Sequence, residues 1–163
     1  AALVHELAAE EPAWQGVPIE ALPGVSAMHM AAARAGAPLG HDFCAVSLSD
    51  LLTPWPVIEQ RLEAAAAGDF VTALYNPVSQ ARREGFQRAR AIFAAKRPAS
   101  TPCIVARQLG RDDERVTVTT LAELGAAEID MLTLVIVGSA KSRAWRTAYG
   151  REQVFTPRGY GEA

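Results

Sequence analysis

The sequence predicts an α/β fold, a mixed and mostly parallel sheet flanked by helices. Three observations carry this expectation. Short apolar runs alternate with Ala-rich stretches of helical spacing along most of the chain. Most of the runs end in a turn built on Gly, Pro or Asn. The chain has 163 residues, half of them hydrophobic, which is enough to bury a core of its own.

The elements follow in order. Residues 1–10 place Leu3, Val4 and Leu7 on one helical stripe. Residues 17–22 read as a brief strand, closed by the Pro23-Gly24 turn. Ser26 is the expected N-cap of a helix over residues 27–35, because its side-chain oxygen can accept from an orphan backbone N–H. Gly36 stops that helix and Pro38 keeps it from resuming. A strand over 43–48 leads to Thr53-Pro54, which opens a helix to Ala67 with Val57, Ile58 and Leu62 on one face and Gly68 at its end. A strand over 70–75 ends at Asn76-Pro77. The next helix spans 80–96 and carries Arg82, Arg83, Arg88 and Arg90; Pro98 prevents its continuation.

Residues 102–107 and 116–119 form two strands around the polar turn at 110–114, and this pair is expected to be antiparallel. Thr120 and Glu123 have the spacing of a capping box for a short helix. Residues 132–137 are the most apolar strand, ending at Gly138. The tail from Lys141 is polar and carries Trp145 and Tyr149.

Composition narrows the function classes. Charge is balanced at −2, without the footprint of a strongly basic nucleic-acid binder. Cys44 and Cys103 stand far apart in apolar runs and read as inert core thiols, not as a metal site or disulfide framework. No run approaches the length of a membrane span and no signal peptide is recognisable, so the expectation is a soluble cytoplasmic protein. The chain begins directly in a helical stripe, and we expect a further segment to precede it in the intact protein.

Four strand ends pass into small or polar turns: at Ser26-Ala27 after Pro23-Gly24, at Tyr75-Asn76, at Arg107 to Gly110, and at Gly138-Ser139. In open α/β sheets ligands bind outside the strand carboxyl ends, and a helix N-terminus there can receive a polar group. The segment SLSDLLTPW, residues 47–55, gathers Ser47, Ser49, Asp50 and Trp55 at one strand end. These residues either cap the next helix, with Trp55 as an apolar plug, or line a cleft. His41-Asp42 adds a possible titrating pair. The arginines of residues 80–96 are either a solvated face or carboxylate anchors.

The run PGVSAMHMAAARAGAPLGHDFCAVSLSDLLTPW, residues 23–55, resembles the tetrapyrrole methylase family. GAPLGHDF and SLSDLLTPW resemble its branch acting on carbon 17 of precorrin-3B or of the cobalt-loaded counterpart. FVTALYNPVSQARR, TPCIVARQLGR, VTVTTLAEL, MLTLVIVGSAKSR and TPRGY extend the likeness over nearly the whole chain, in order.

The resemblance implies a two-domain methyltransferase fold, with S-adenosyl-L-methionine held between the domains. The family's glycine-proline loop and Gly-Asp-Pro motif have no match here, while AALVHEL resembles the helix that follows the latter. Residues 1–22 would then be a remnant of the N-terminal domain with its linker, and residues 23–163 the C-terminal domain.

The resemblance further implies methylation of precorrin-3B at C-17 with ring contraction, in cobalamin biosynthesis, by a homodimer. The alternatives are the cobalt-precorrin-3 reaction, or a half-domain that binds cofactor or tetrapyrrole without catalysis. Implied cofactor contacts are Ser26, Ala27, Tyr75 or Asn76, Leu109, Leu132 and Thr133. Ring contraction needs proton movement, for which Asp50, His41 and Ser49 are the candidates. Ser47 and Trp55 would line the substrate, and Arg82, Arg83 and Arg107 would anchor its carboxylates.

Overall fold

The computed structural model describes residues 1–78 and 84–159. The helices are α1 (Ala2–Glu10), α2 (Ala27–Ala35), α3 (Trp55–Ala67) and α4 (Glu84–Ala94). The strands are β1 (Gly36–Ala37), β2 (Phe43–Ser47), β3 (Val71–Tyr75), β4 (Pro102–Arg107), β5 (Arg115–Thr120), β6 (Thr133–Val137), β7 (Arg143–Arg146) and β8 (Glu152–Phe155). Two short 3-10 turns occupy Pro12–Trp14 and Glu123–Ala126.

The main sheet has the order β2-β3-β6-β4-β5. It is mixed and helix-flanked, as expected, but its neighbours are mostly antiparallel. Only β2 and β3 pair in parallel, while β3–β6, β6–β4 and β4–β5 are antiparallel. The reason is β6. It comes last of the five in sequence, yet it inserts between β3 and β4 and runs against both. The crossover through α4 therefore joins two strands of like direction that do not touch. The antiparallel pairing of β4 with β5 is as expected.

Two apolar layers cover the two faces. Ile58 and Leu62 of α3 and Phe86, Ala89 and Phe93 of α4 meet Val46, Leu74, Cys103, Val105, Val135 and Val137. On the other face Met28, Ala31 and Ala35 of α2 meet Val71, Ala73, Ile104, Ala106, Leu134 and Ile136. Consecutive residues of β6 belong to alternate layers, so all five are buried. This explains a continuous apolar run where a half-exposed strand would alternate.

The tail forms a second sheet, β1-β8-β7, that the sequence did not reveal. Gly36 makes it possible. Its φ is +123°, and a Cβ there would stand 2.6 Å from the Val154 carbonyl oxygen. The Thr156 hydroxyl donates to the Pro38 carbonyl at 2.6 Å, tying β8 to the turn after β1.

Other local expectations fare unevenly. Ser26 does cap α2, accepting from the His29 amide at 3.4 Å. The Thr120 hydroxyl accepts from the Glu123 amide, although the turn that follows is 3-10. Residues 17–22 are irregular and not a strand, with no ladder partner among the described residues. The N-cap of α3 is Pro54, without a side-chain cap. α1 forms as the stripe predicts but buries none of it: Leu3, Val4 and Leu7 stay exposed, as do Trp14, Val17 and Leu22.

At the edge of the sheet where β3 begins lies Arg97, its side chain 1 % exposed. It donates to the carbonyls of Gly138, Ala65 and Phe70 and lies over the Phe93 ring. Burial lowers its pKa, and Asp69 at 3.5 Å opposes that shift.

Candidate functional site

β2, β3 and β4 run the same way, so their carboxyl ends share one edge. The antiparallel β5 and β6 bring their amino ends to it. The pairs Ser47 with Tyr75, Arg107 with Thr133, and Arg107 with Arg115 mark that edge. α2 begins beside it, because the Tyr75 hydroxyl accepts from the Met28 amide at 3.1 Å. The residues of the expected cofactor set, Ser26, Ala27, Tyr75, Asn76, Leu109, Leu132 and Thr133, therefore lie along one edge, although they span about a hundred residues of sequence.

Each member is held by local chemistry. Asn76 takes a φ of +50°, which Asn tolerates better than most residues. Its side-chain amide donates to the Ser47 hydroxyl at 3.0 Å. Ser47 also accepts from the Ser49 amide at 3.3 Å. The Gln108 amide donates to the Leu132 carbonyl at 3.0 Å, which sets the loop after β4 beside the start of β6. Val25, Met131 and Leu132 expose apolar surface there.

The expected acid/base trio does not come together. Ser49 and Asp50 follow the carboxyl end of β2, whereas His41 precedes its amino end. Five strand residues separate them, about 17 Å at about 3.3 Å per residue. Sequence proximity misled here because an extended strand carries its two flanks apart. His41 lies 3.8 Å from Asp42. Trp55 packs between helices: a Cβ on Gly85 would stand 3.0 Å from its ring, and the Arg88 guanidinium lies 4.8 Å from its centroid. This is the plug of the alternative reading.

Arg107 is engaged. Its Nε donates to Asp130 at 2.6 Å. Arg82 and Arg83 lie outside the described residues.

Two carboxylates at this edge escaped the sequence reading. Asp130 accepts from Arg107, from the Leu132 amide at 2.9 Å and from the Thr133 hydroxyl at 2.7 Å. Burial opposes ionisation of Asp130, but the Thr133 hydroxyl, Arg107 and the Leu132 amide together hold its carboxyl below the ordinary value. Glu114 accepts from Arg34 at 2.6 Å and from the Gly110 amide at 2.7 Å. Its hydrogen bond to Arg34 lowers its pKa and raises that of Arg34. The spacing Asp-x-Leu, where a carboxylate accepts from the amide two residues on, was the available signal for Asp130. Glu114 carried none, because its partner Arg34 is 80 residues away. Beside Arg107, on the α4 face, a cavity of about 360 Å³ is bounded by Val105, Arg115, Thr117, Thr119 and Glu128.

Comparison with known proteins finds relatives over nearly the whole chain. A precorrin-3B C(17)-methyltransferase of Sinorhizobium sp is 48% identical over 164 residues, covering 100% of this chain and 65% of that protein. A probable cobalt-factor III C(17)-methyltransferase of Salmonella typhimurium is 44% identical, covering 98% of this chain and 64% of its own length. The crystal structure of the methyltransferase CobJ superposes with a TM-score of 0.85 at 39% identity, over 96% of this chain and 64% of that one. The chain thus spans just under two thirds of the length of these relatives. The model of the Tetrapyrrole (Corrin/Porphyrin) Methylases matches residues 1–125. By that match and by whole-chain identity, the chain belongs to the tetrapyrrole methylases.

Proposed function

We propose that this chain serves S-adenosylmethionine-dependent methylation of precorrin-3B at C-17, with ring contraction, in cobalamin biosynthesis. The observation that carries the reading is 48% identity over its full length to a precorrin-3B C(17)-methyltransferase. Residues 23–163 would supply the C-terminal domain, and residues 1–22 the end of the preceding domain and its linker. The exposed apolar stripe of α1 supports that division.

Tetrapyrrole methylases use S-adenosylmethionine, which supplies a methyl group already activated on a sulfonium. The residues at the sheet edge suit it. Leu132, Met131 and Val25 offer apolar surface for a nucleoside, Ser26 a hydroxyl, and the loops at Leu109 and Leu132 backbone groups. The protein's task is then to hold two reactants in line, and proximity of that kind is worth about 7–11 kcal/mol. No enzyme nucleophile is needed.

For the proton movements of contraction, Asp50 and Ser49 remain the proposed groups, beside Ser47 at the same strand end. His41, about 17 Å along the strand, does not share a proton with them. Arg107 acts first on Asp130, and only its outer nitrogens would meet a substrate carboxylate. A homodimer is part of the proposal.

The test joins this chain to the portion of the Sinorhizobium relative that the match leaves uncovered, placed ahead of Ala1 as the proposed division requires. Transfer of labelled methyl to precorrin-3B, with formation of the contracted ring, is the expected result. No transfer by a folded, cofactor-binding chimera would refute the reading. Relatives named for cobalt-factor III favour a second reading, a metallated substrate; turnover on the cobalt-loaded substrate alone would establish it. The 163-residue chain by itself should bind cofactor weakly and methylate nothing measurable, and robust turnover by it would overturn the division proposed above.

A further inference from the structure

We infer that Glu114 is a positioning residue that locks the loop after β4, with Leu109 at its centre, onto α2. This rests on the cofactor reading above, which puts Leu109 and the start of α2 on the same ligand. It adds a residue that neither the sequence pattern nor the family resemblance singled out.

The loop needs such a lock. It leaves β4 through Gln108 at a φ of +54° and turns again at Gly110 at +74°. Two left-handed positions in three residues, one of them non-glycine, are a sparsely populated conformation that surrounding contacts must enforce. Leu132 holds one side of the loop by accepting from the Gln108 amide. Glu114 holds the other, and both of its carboxylate oxygens are used. Oε2 accepts from the Gly110 amide at 2.7 Å, and Oε1 from Arg34 Nε at 2.6 Å.

Arg34 belongs to the last turn of α2, whose first turn is fixed to β3 through the Tyr75 hydroxyl. Between the two, Met30 lies beneath Gly110, whose added Cβ would stand 3.7 Å from the sulfur. α2 therefore acts as a strut along the edge. Tyr75 ties one end of it to β3, and Glu114 ties the other to the loop after β4. An ordinary exposed ion pair does neither and contributes little. Here one carboxylate joins a backbone amide of a strained loop to a helix that also begins at the site.

The test uses the 163-residue chain with S-adenosylhomocysteine as the probe, followed by amide chemical shifts. Glu114→Ala should weaken binding about tenfold, the equivalent of one charge-assisted hydrogen bond. It should also move the Gly110 amide proton upfield in the ligand-free chain. Glu114→Gln keeps a carbonyl for the Gly110 amide and should restore most of the affinity. Arg34→Met should fall between the two. The melting temperature should move by no more than about 4 °C in each, since Arg34 is exposed and half-buried Glu114 gives up about one charge-assisted hydrogen bond.

If the unaltered chain shows no shifts with the probe, the cofactor reading fails and the positioning role falls with it. If it binds and Glu114→Ala binds equally well, the positioning role alone is overturned. A loss of affinity matched by a large loss of melting temperature would also overturn it, in favour of a general role in folding.

Discussion

Replacing Arg97 by Ala should be among the most destabilising single changes outside the apolar core. Its guanidinium lies at the edge opposite the candidate site and donates to three carbonyls. Two of these keep a second donor when it is removed. The Ala65 carbonyl retains the Phe70 amide at 3.1 Å, and the Phe70 carbonyl retains the Thr72 hydroxyl at 2.9 Å. The Gly138 carbonyl has no such substitute among the described residues. One orphaned buried carbonyl costs about 1–3 kcal/mol. The lost packing over Phe93 adds about 2 kcal/mol. Relief of burying a cation, visible in the lowered pKa of Arg97, returns part of this. The net loss is about 3 kcal/mol. At about 2.1 cal/mol/K per residue, 163 residues unfold with about 0.34 kcal/mol/K, so the melting temperature should fall by about 9 °C. Arg97→Lys keeps the charge but reaches fewer carbonyls and should lose about half as much. Differential scanning calorimetry measures both, and S-adenosylhomocysteine binding by the folded fraction should be unchanged. A drop below about 2 °C for Arg97→Ala would show that the buried cation costs as much as its bonds return.

Three further outcomes are expected. Tyr75→Phe removes the acceptor for the Met28 amide and should cost about 1 kcal/mol in urea unfolding, with faster hydrogen exchange at Met28. The Asp130 carboxyl titrates below its ordinary value of 3.8, so its stabilisation is complete above that value and disappears as pH falls through the lower folded value. Urea midpoints of the wild type and Asp130→Asn should therefore differ at neutral pH and converge in acid; parallel curves would refute this. Burial pushes the Cys103 thiol up to about 12, so iodoacetamide at mild alkaline pH should leave Cys103 unmodified until urea is added, as peptide mapping would show.

What the sequence determined by itself was local. The run at residues 102–107 became β4 without adjustment, and the turn before Arg115 closed the expected antiparallel pair, because turn chemistry and side-chain period act over a few residues. Ser26 capped α2 for the same reason, and the family likeness rested on motifs of this kind. The tertiary structure alone decided which strands became neighbours. β6 took the slot between β3 and β4, turning a mostly parallel expectation into a mostly antiparallel sheet and bringing Thr133 to the edge that Tyr75 and Arg107 share. Gly36–Ala37, two residues long, became a strand only because Val154–Phe155 arrived beside it. The same non-local placement turned Trp55 toward α4 and let Glu114 reach Arg34, whereas the separation of His41 from Asp50 was local, set by the extended strand between them. Hydrophobic period and turn residues specify an element and its buried face, but a ladder partner or an ion-pair partner is chosen by the packing of the whole chain, and that choice leaves no mark in the residues next to it.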